Sequence, residues 1–301
     1  MPDVPDVPDV QQRRIRTELP VDIHLTLGRL AHGRGDPTVR IEPDGIWRAT
    51  RTPEGPGTEH ITTRNGSIVV QAWGPGASWL LERAPELLGL HDDPSGFRPQ
   101  HPIVHDLHRR FRGLRIGRTN AVVEALIPAV LEQKVVGKQA RSSYRGLVRA
   151  LGEPAPGPAG LLLQPDPRRL AETPYYELHA LGIERRRAGV LREVGRRAPR
   201  IEHLTSPERL QALQGVGAWT AAEVAAVAFG DPDAVSVGDY HLPHLVGWAL
   251  AGEPRGTNER MLELLSPYAG QRGRVIRLLE TSGLTAPRFG PRLPVRSIAR
   301  I

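Results

Sequence analysis

No cysteine occurs anywhere in the 301 residues. That absence excludes disulfides, thiolate zinc sites, iron–sulfur clusters and a cysteine nucleophile. Lysine stands only at Lys134 and Lys138, so nearly all of the positive charge is arginine. No apolar run approaches the roughly 20 residues of a membrane-crossing helix. The first residues, Met1-Pro2-Asp3-Val4, lack the basic and apolar regions of a signal peptide. These absences predict a cytoplasmic protein with no membrane partner.

What is present is a formal net charge of +7. A basic chain points to a polyanionic partner, nucleic acid first. An arginine bias can also come from genome composition, so charge alone does not decide. The length allows one large or two medium domains.

Along the chain the pattern changes once. The first ten residues repeat Pro-Asp-Val three times and predict a disordered tail over 1–17. From 18 to 100 the pattern is strand-like. Val21-Asp22-Ile23-His24-Leu25-Thr26-Leu27 alternates with period two, Val39–Ile41 and Ile46–Ala49 flank the turn signal Pro43-Asp44-Gly45, and Ser67–Gln71 is another β run. A helix is predicted over Ser78–Leu88. From 101 to 285 the period is helical, with one long amphipathic stretch over Thr119–Leu151, a Pro/Gly-rich loop over Pro154–Pro167, and helices over Arg168–Leu181 and Ile183–Arg196. Ser206-Pro207 predicts a cap and first position of a further helix. Residues 286–301 form a basic tail with Arg288, Arg292, Arg296 and Arg300.

The most informative segment is Leu210–Phe229, LQALQGVGAWTAAEVAAVAF. Gly215-Val216-Gly217 sits between two helical stretches, and Ala221, Val224, Ala225 and Ala228 share a face of the second. Glycines permit positive φ and close backbone approach. The N–H groups that open the second helix then form an anion site suited to a DNA phosphate. Such a contact reads backbone rather than sequence. A plain helix–helix turn is the competing reading. The second segment is Asp231–Leu250, where Asp239 stands just before a helical run. By itself this aspartate reads first as a helix cap.

These motifs together resemble the helix-hairpin-helix DNA glycosylase superfamily, and within it the DNA-3-methyladenine glycosylase II branch. The hairpin is Leu213-Gln214-Gly215-Val216-Gly217-Ala218-Trp219, with Gln214 where the family usually has proline, and Asp239 follows in Val237-Gly238-Asp239-Tyr240. Ala129-Val130-Leu131-Glu132-Gln133-Lys134 is similar to the family's glutamine-bearing helix entry. The resemblance covers roughly His101–Gly283. It implies an α+β fold: a small antiparallel β-rich N-terminal domain, then an all-α helix-hairpin-helix glycosylase domain. It implies Asp239 as the catalytic carboxylate, Trp219 and Tyr240 in the base pocket, and DNA contacts from Gly215, Val216, Gly217, Gln133, Lys134 and Lys138. Lys134 falls where alkylation-repair relatives fill the gap left by the flipped base.

Family members that also cut the strand carry a lysine two residues after the second hairpin glycine; here that residue is Trp219. The resemblance therefore implies a monofunctional enzyme for alkylated purines, whose positive charge would favour an indole face. It implies double-stranded DNA bearing damaged bases as partner, a monomer, no cofactor, and at most a structural alkali cation at the hairpin. The basic segment His108–Arg149, with Arg109, Arg110, Arg112, Arg115, Arg118, Arg141, Arg145 and Arg149, would grip phosphates. His101, His105 and His108, and His241 with His244, share helical spacings but bring no carboxylate at a metal-site spacing. The alternatives are a glycosylase for deaminated or other damaged bases, a non-catalytic hairpin DNA-binding protein, and a metal-dependent helical enzyme.

Overall fold

The structure is a computed structural model that describes residues 10–287. The first nine residues, with most of the Pro-Asp-Val repeat, lie outside the described residues, as does the basic stretch from 288 with Arg288, Arg292, Arg296 and Arg300.

Five antiparallel strands form one sheet: β1 (Gln11–Ile15), β2 (Val39–Glu42), β3 (Gly45–Thr52), β4 (Gly55–Arg64) and β5 (Ser67–Trp73), in the order β1-β5-β4-β3-β2. The expected Pro43-Asp44 turn joins β2 to β3. Asn65-Gly66 joins β4 to β5 with both residues at positive φ, 50° and 71°, a turn whose twist suits paired strands. Strand β1 corrects the expectation of a tail reaching residue 17. Gln11–Ile15 pairs along β5, and Ile15 is buried in the sheet's core.

A second correction concerns Val21–Leu27. Despite its alternation, Ile23–Leu27 is a helix, α1, because Asp22 accepts hydrogen bonds from His24 N at 2.9 Å and Leu25 N at 3.0 Å. Its buried residues, Ile23, Thr26 and Leu27, have i, i+3, i+4 spacing, so cap and helical face override the two-residue period. Helix α2 (Ala77–Leu87) covers the sheet as expected.

The helical part has two cores. Helices α4 (Val122–Glu132), α5 (Gly137–Leu151), α6 (Pro167–Glu172), α7 (Tyr175–Ala180), α8 (Arg185–Glu202) and α9 (Ala218–Val224) surround one. Helix α3 (Pro102–Arg110) returns to pack with α10 (Leu242–Ala251), α11 (Asn258–Leu265) and α12 (Arg272–Thr281) around the other. The expected single helix over Thr119–Leu151 is broken where Lys134 takes a left-handed conformation, φ 53°. The domain is not purely helical either. A ribbon of β6 (Glu153–Pro154) and β7 (Leu162–Leu163) lies in the Pro/Gly-rich loop, and Leu161 and Leu163 pack with Ala49 of β3. Ser206 makes no capping hydrogen bond, and the residues after it, Pro207–Ala212, form a 3₁₀ turn.

Two ionic clusters tie the sheet to the helices. Arg48 is 2% exposed on β3 and donates from Nη1 to Glu59 Oε1 and from Nη2 to Glu124 Oε1 of α4, each at 2.8 Å. Glu86 of α2 accepts from Arg118 Nε and Asn120 Nδ2, each at 2.7 Å, and from Arg83. Arg118 is thus bound internally, and Arg115 is buried with its Nε on Pro20 O at 3.0 Å. These two arginines of the basic segment brace the protein.

Removing one member of a buried cluster strands the others. Arg48→Ala is expected to lower unfolding free energy by about 3–5 kcal/mol in urea titrations. Against partial burial, which raises it, the bonds from Arg118, Asn120 and Arg83 hold the Glu86 carboxyl at about 2, below its ordinary 4.5. A lowered folded-state value contributes stability above the unfolded value and loses it as pH falls. The stability difference between wild type and Glu86→Gln is therefore expected at neutral pH and should fade between about 4.5 and about 2.

Candidate active site

The hairpin runs from the 3₁₀ turn through Leu213–Gly217 into α9, which continues as a π-helical turn over Ala225–Phe229. Gly215 has φ 88°, and a Cβ there would meet Val190 Cγ2 at 2.3 Å, so glycine is required twice over. Gly217 is different. Its φ is −93°, it is exposed, and an added Cβ would meet nothing within 4 Å. No contact inside the chain demands a bare backbone at that point.

Gln133 joins α4 to this hairpin. Its Nε2 donates to Gly215 O at 3.0 Å and to Thr220 Oγ1 at 2.9 Å. The residue expected to face DNA thus spends its amide protons inside the protein. Lys134 is exposed in the connection from α4 to α5, and Lys138 is exposed in the first turn of α5.

From the hairpin the chain passes through Asp231–Gly238 to α10. Gly238 has φ 94° and donates its N–H to Asn258 Oδ1 at 3.0 Å. The turn delivers Asp239, whose Oδ1 accepts from His241 N at 2.6 Å and Leu242 N at 2.7 Å. Its Oδ2 accepts from Trp219 Nε1 at 3.2 Å. Asp239 therefore holds the entry to α10 through the N–H groups of the N-cap residue His241 and the first helical residue Leu242, and it is also joined to the residue twenty positions earlier in the hairpin helix.

Asp239 lines a cavity of about 560 Å³ between the two helical cores and the N-terminal unit. That size falls within the range of small-molecule sites. Glu132 at the end of α4, Glu223 on α9, Arg141 on α5 and Arg29 after α1 share the wall. Burial, and then the charges of Glu223 and Asp239, push the Glu132 carboxyl up to about 7 against the pull of Arg141. Burial also raises Glu223, whose carboxylate accepts from Ser236 Oγ. Arg277 is pushed down to about 10, first by burial and then by Arg29.

Two expected pocket residues are placed otherwise. Trp219 is half-buried beside the cavity and bonded to Asp239, but it does not line the wall. Tyr240 is 70% exposed and packs edge-on against His241 and His244, outside the cavity. Among the described residues no group of three metal-ligating side chains is placed to hold an ion; the His101 ring instead bonds Tyr268 Oη at 2.6 Å.

The sequence reading missed Glu132, Glu223, Arg29 and Arg141 as cavity residues. Glu223 carried a signal, being the one charge on the small-residue hairpin helix. Glu132 stood beside the quoted Gln133 but was not singled out. Arg29 belongs to the N-terminal unit, and no local motif marks it.

No protein-family model and no curated protein sequence matches the chain. Solved structures do. The chain has the fold of the helix-hairpin-helix DNA glycosylases. A 3-methyladenine DNA glycosylase from Archaeoglobus fulgidus superposes with a TM-score of 0.74 at 18% identity, over 90% of this chain and 98% of that one. An 8-oxoguanine glycosylase/lyase from Clostridium acetobutylicum, in complex with double-stranded DNA, gives 0.69 at 12% identity over 92% and 98%. A 3-methyladenine DNA glycosylase from Schizosaccharomyces pombe, in complex with abasic DNA, gives 0.51 at 20% identity over 65% and 97%. At 90% and 92% of this chain, the first two superpositions extend beyond the helical part into the β-rich unit.

Gln133→Ala would leave Gly215 O and Thr220 Oγ1 without their partner. It is expected to cost about 1–2 kcal/mol of stability in chemical denaturation, with faster hydrogen exchange across Leu213–Thr220.

Proposed function

We propose that this protein is a monofunctional DNA glycosylase that removes alkylated purines from double-stranded DNA, acting as a monomer. The observation that carries the reading is Asp239: a carboxylate with three hydrogen-bond donors fixing its orientation, set on the wall of a cavity large enough for a flipped base.

A base inside a duplex must leave the stack before such a cavity can hold it. Breaking its bond to the sugar builds positive charge on the deoxyribose. A carboxylate already held in place stabilises that charge without reorganising, and in many enzymes preorganised electrostatics supplies most of the rate enhancement. The exposed, side-chain-free backbone at Gly217 suits close approach of a phosphate. The carboxyl groups of Glu132 and Glu223 suit a cationic, N-alkylated base.

Monofunctional chemistry is supported by the lysines. Lys134 stands in the exposed connection from α4 to α5 and Lys138 in the exposed first turn of α5, and the residue beside Asp239 is Trp219, which cannot form a Schiff base. At the hairpin, Leu213 O and Gly215 O accept from Val216 N and Gln133 Nε2. Each carbonyl keeps a second lone pair for an alkali cation, which when bound would add electrostatic attraction for a phosphate.

The test is release of free base from alkylated duplex DNA. The wild type is expected to release base in the presence of chelator and to leave an uncleaved abasic strand. Asp239→Asn should bind the same DNA and lose about 10²–10³-fold in rate. Full excision by that variant would end the assignment. Binding should weaken steeply as salt is raised, because phosphate contacts release counterions.

A further inference from the structure

Among the carboxyl groups that line the cavity, Asp239, Glu223 and Glu132 differ in what holds them. Asp239 accepts from Trp219 and two backbone N–H groups, and Glu223 accepts from Ser236. Glu132 makes no hydrogen bond and no ion pair among the described residues. Neither of its oxygens is sealed in the protein, and the residue forms part of the cavity wall. Its position is nonetheless fixed from both sides. Leu131 O accepts from the buried Arg187 Nη1 at 2.6 Å, and the next side chain, Gln133, is bonded to the hairpin. A rigidly mounted, largely buried carboxyl without an internal partner is complementary to a group that arrives from outside. Beside burial, the charges that act on it are Glu223 on α9, Arg141 on α5 and Asp239 before α10, and with a value of about 7 the acid form is populated at neutral pH.

Resting on the glycosylase reading above, we propose that Glu132 donates a proton to the flipped base and so extends the substrate class from cationic alkylated purines to neutral damaged purines. A cationic base leaves without help, whereas a neutral one leaves as a poor anion unless it is protonated. The Glu132 acid gives its proton to a ring nitrogen of the purine. The bond from C1′ to N9 then breaks with both electrons going to the base, which departs neutral. The positive charge passes to the sugar beside Asp239. Water adds its oxygen to C1′, and the proton it releases restores the Glu132 acid. The sum is nucleotide plus water giving free base and an abasic site. With a cationic base in the cavity the same group, ionised, serves as counter-charge.

The test compares single-turnover release of 7-methylguanine, which is cationic, with release of hypoxanthine, which is neutral, each from duplex DNA. The wild type is expected to release both. Glu132→Gln should slow hypoxanthine release by about 10²-fold more than it slows 7-methylguanine release, with melting temperature and affinity for abasic duplex reporting that the variant is folded. Glu132→Asp keeps an acid and should lower that ratio less; equal loss in the two variants counts against the proposal. A wild type that releases 7-methylguanine alone, or a Glu132→Gln that slows both bases by the same factor, overturns the proton donor and leaves the glycosylase reading standing. Release of neither base by the wild type overturns both.

Discussion

The candidate site depends on where one carboxylate is held. Asp239 accepts from Trp219 of the hairpin helix and from the N–H groups of His241 and Leu242 at the entry to α10, so a single side chain ties the hairpin to the second helical core. Capping a helix and serving a reaction are often treated as competing explanations of an aspartate. Here the cap is the means of positioning. Two backbone donors and one indole fix the carboxylate's plane, and the carboxylate faces a cavity bounded by the parts of the chain it joins.

The surroundings are stiffened by the same economy of bonds. Gln133 ties the end of α4 to the hairpin, and Arg187 holds the preceding carbonyl. The Arg48 cluster fixes α4 to the sheet, and Glu86 fixes the segment leading into α4. Thus the β-rich unit sets the position of the helix that carries Glu132. Its arginine and histidine, Arg29 and His32, close one side of the cavity.

Much of this was legible in the sequence because it was local. The hairpin glycines, the turn at Pro43-Asp44 and the cap-like Asp239 are each written in a few neighbouring residues. The errors arose where local pattern and tertiary context disagree. The alternation in Val21–Leu27 lost to one capping aspartate. Strand β4 begins Gly55-Pro56-Gly57, which conceals a central strand, although the Asn65-Gly66 turn that ends it was there to be read. The family resemblance implies Trp219 in the base pocket, but the geometry places it beside the cavity, bonded to Asp239 rather than lining the wall. The carboxyls of Glu132 and Glu223 come from helices far apart in the chain, and no spacing rule brings them together.

The central claim is that Asp239 stabilises positive charge on the sugar, and binding of abasic-site analogues tests it most directly. Wild-type protein should bind duplex DNA containing a cationic pyrrolidine analogue at least about tenfold more tightly than DNA containing a neutral tetrahydrofuran analogue, and Asp239→Asn should lose that preference while binding the neutral analogue as before. Equal binding of the two analogues by the wild type, or an undiminished preference in Asp239→Asn, would contradict it.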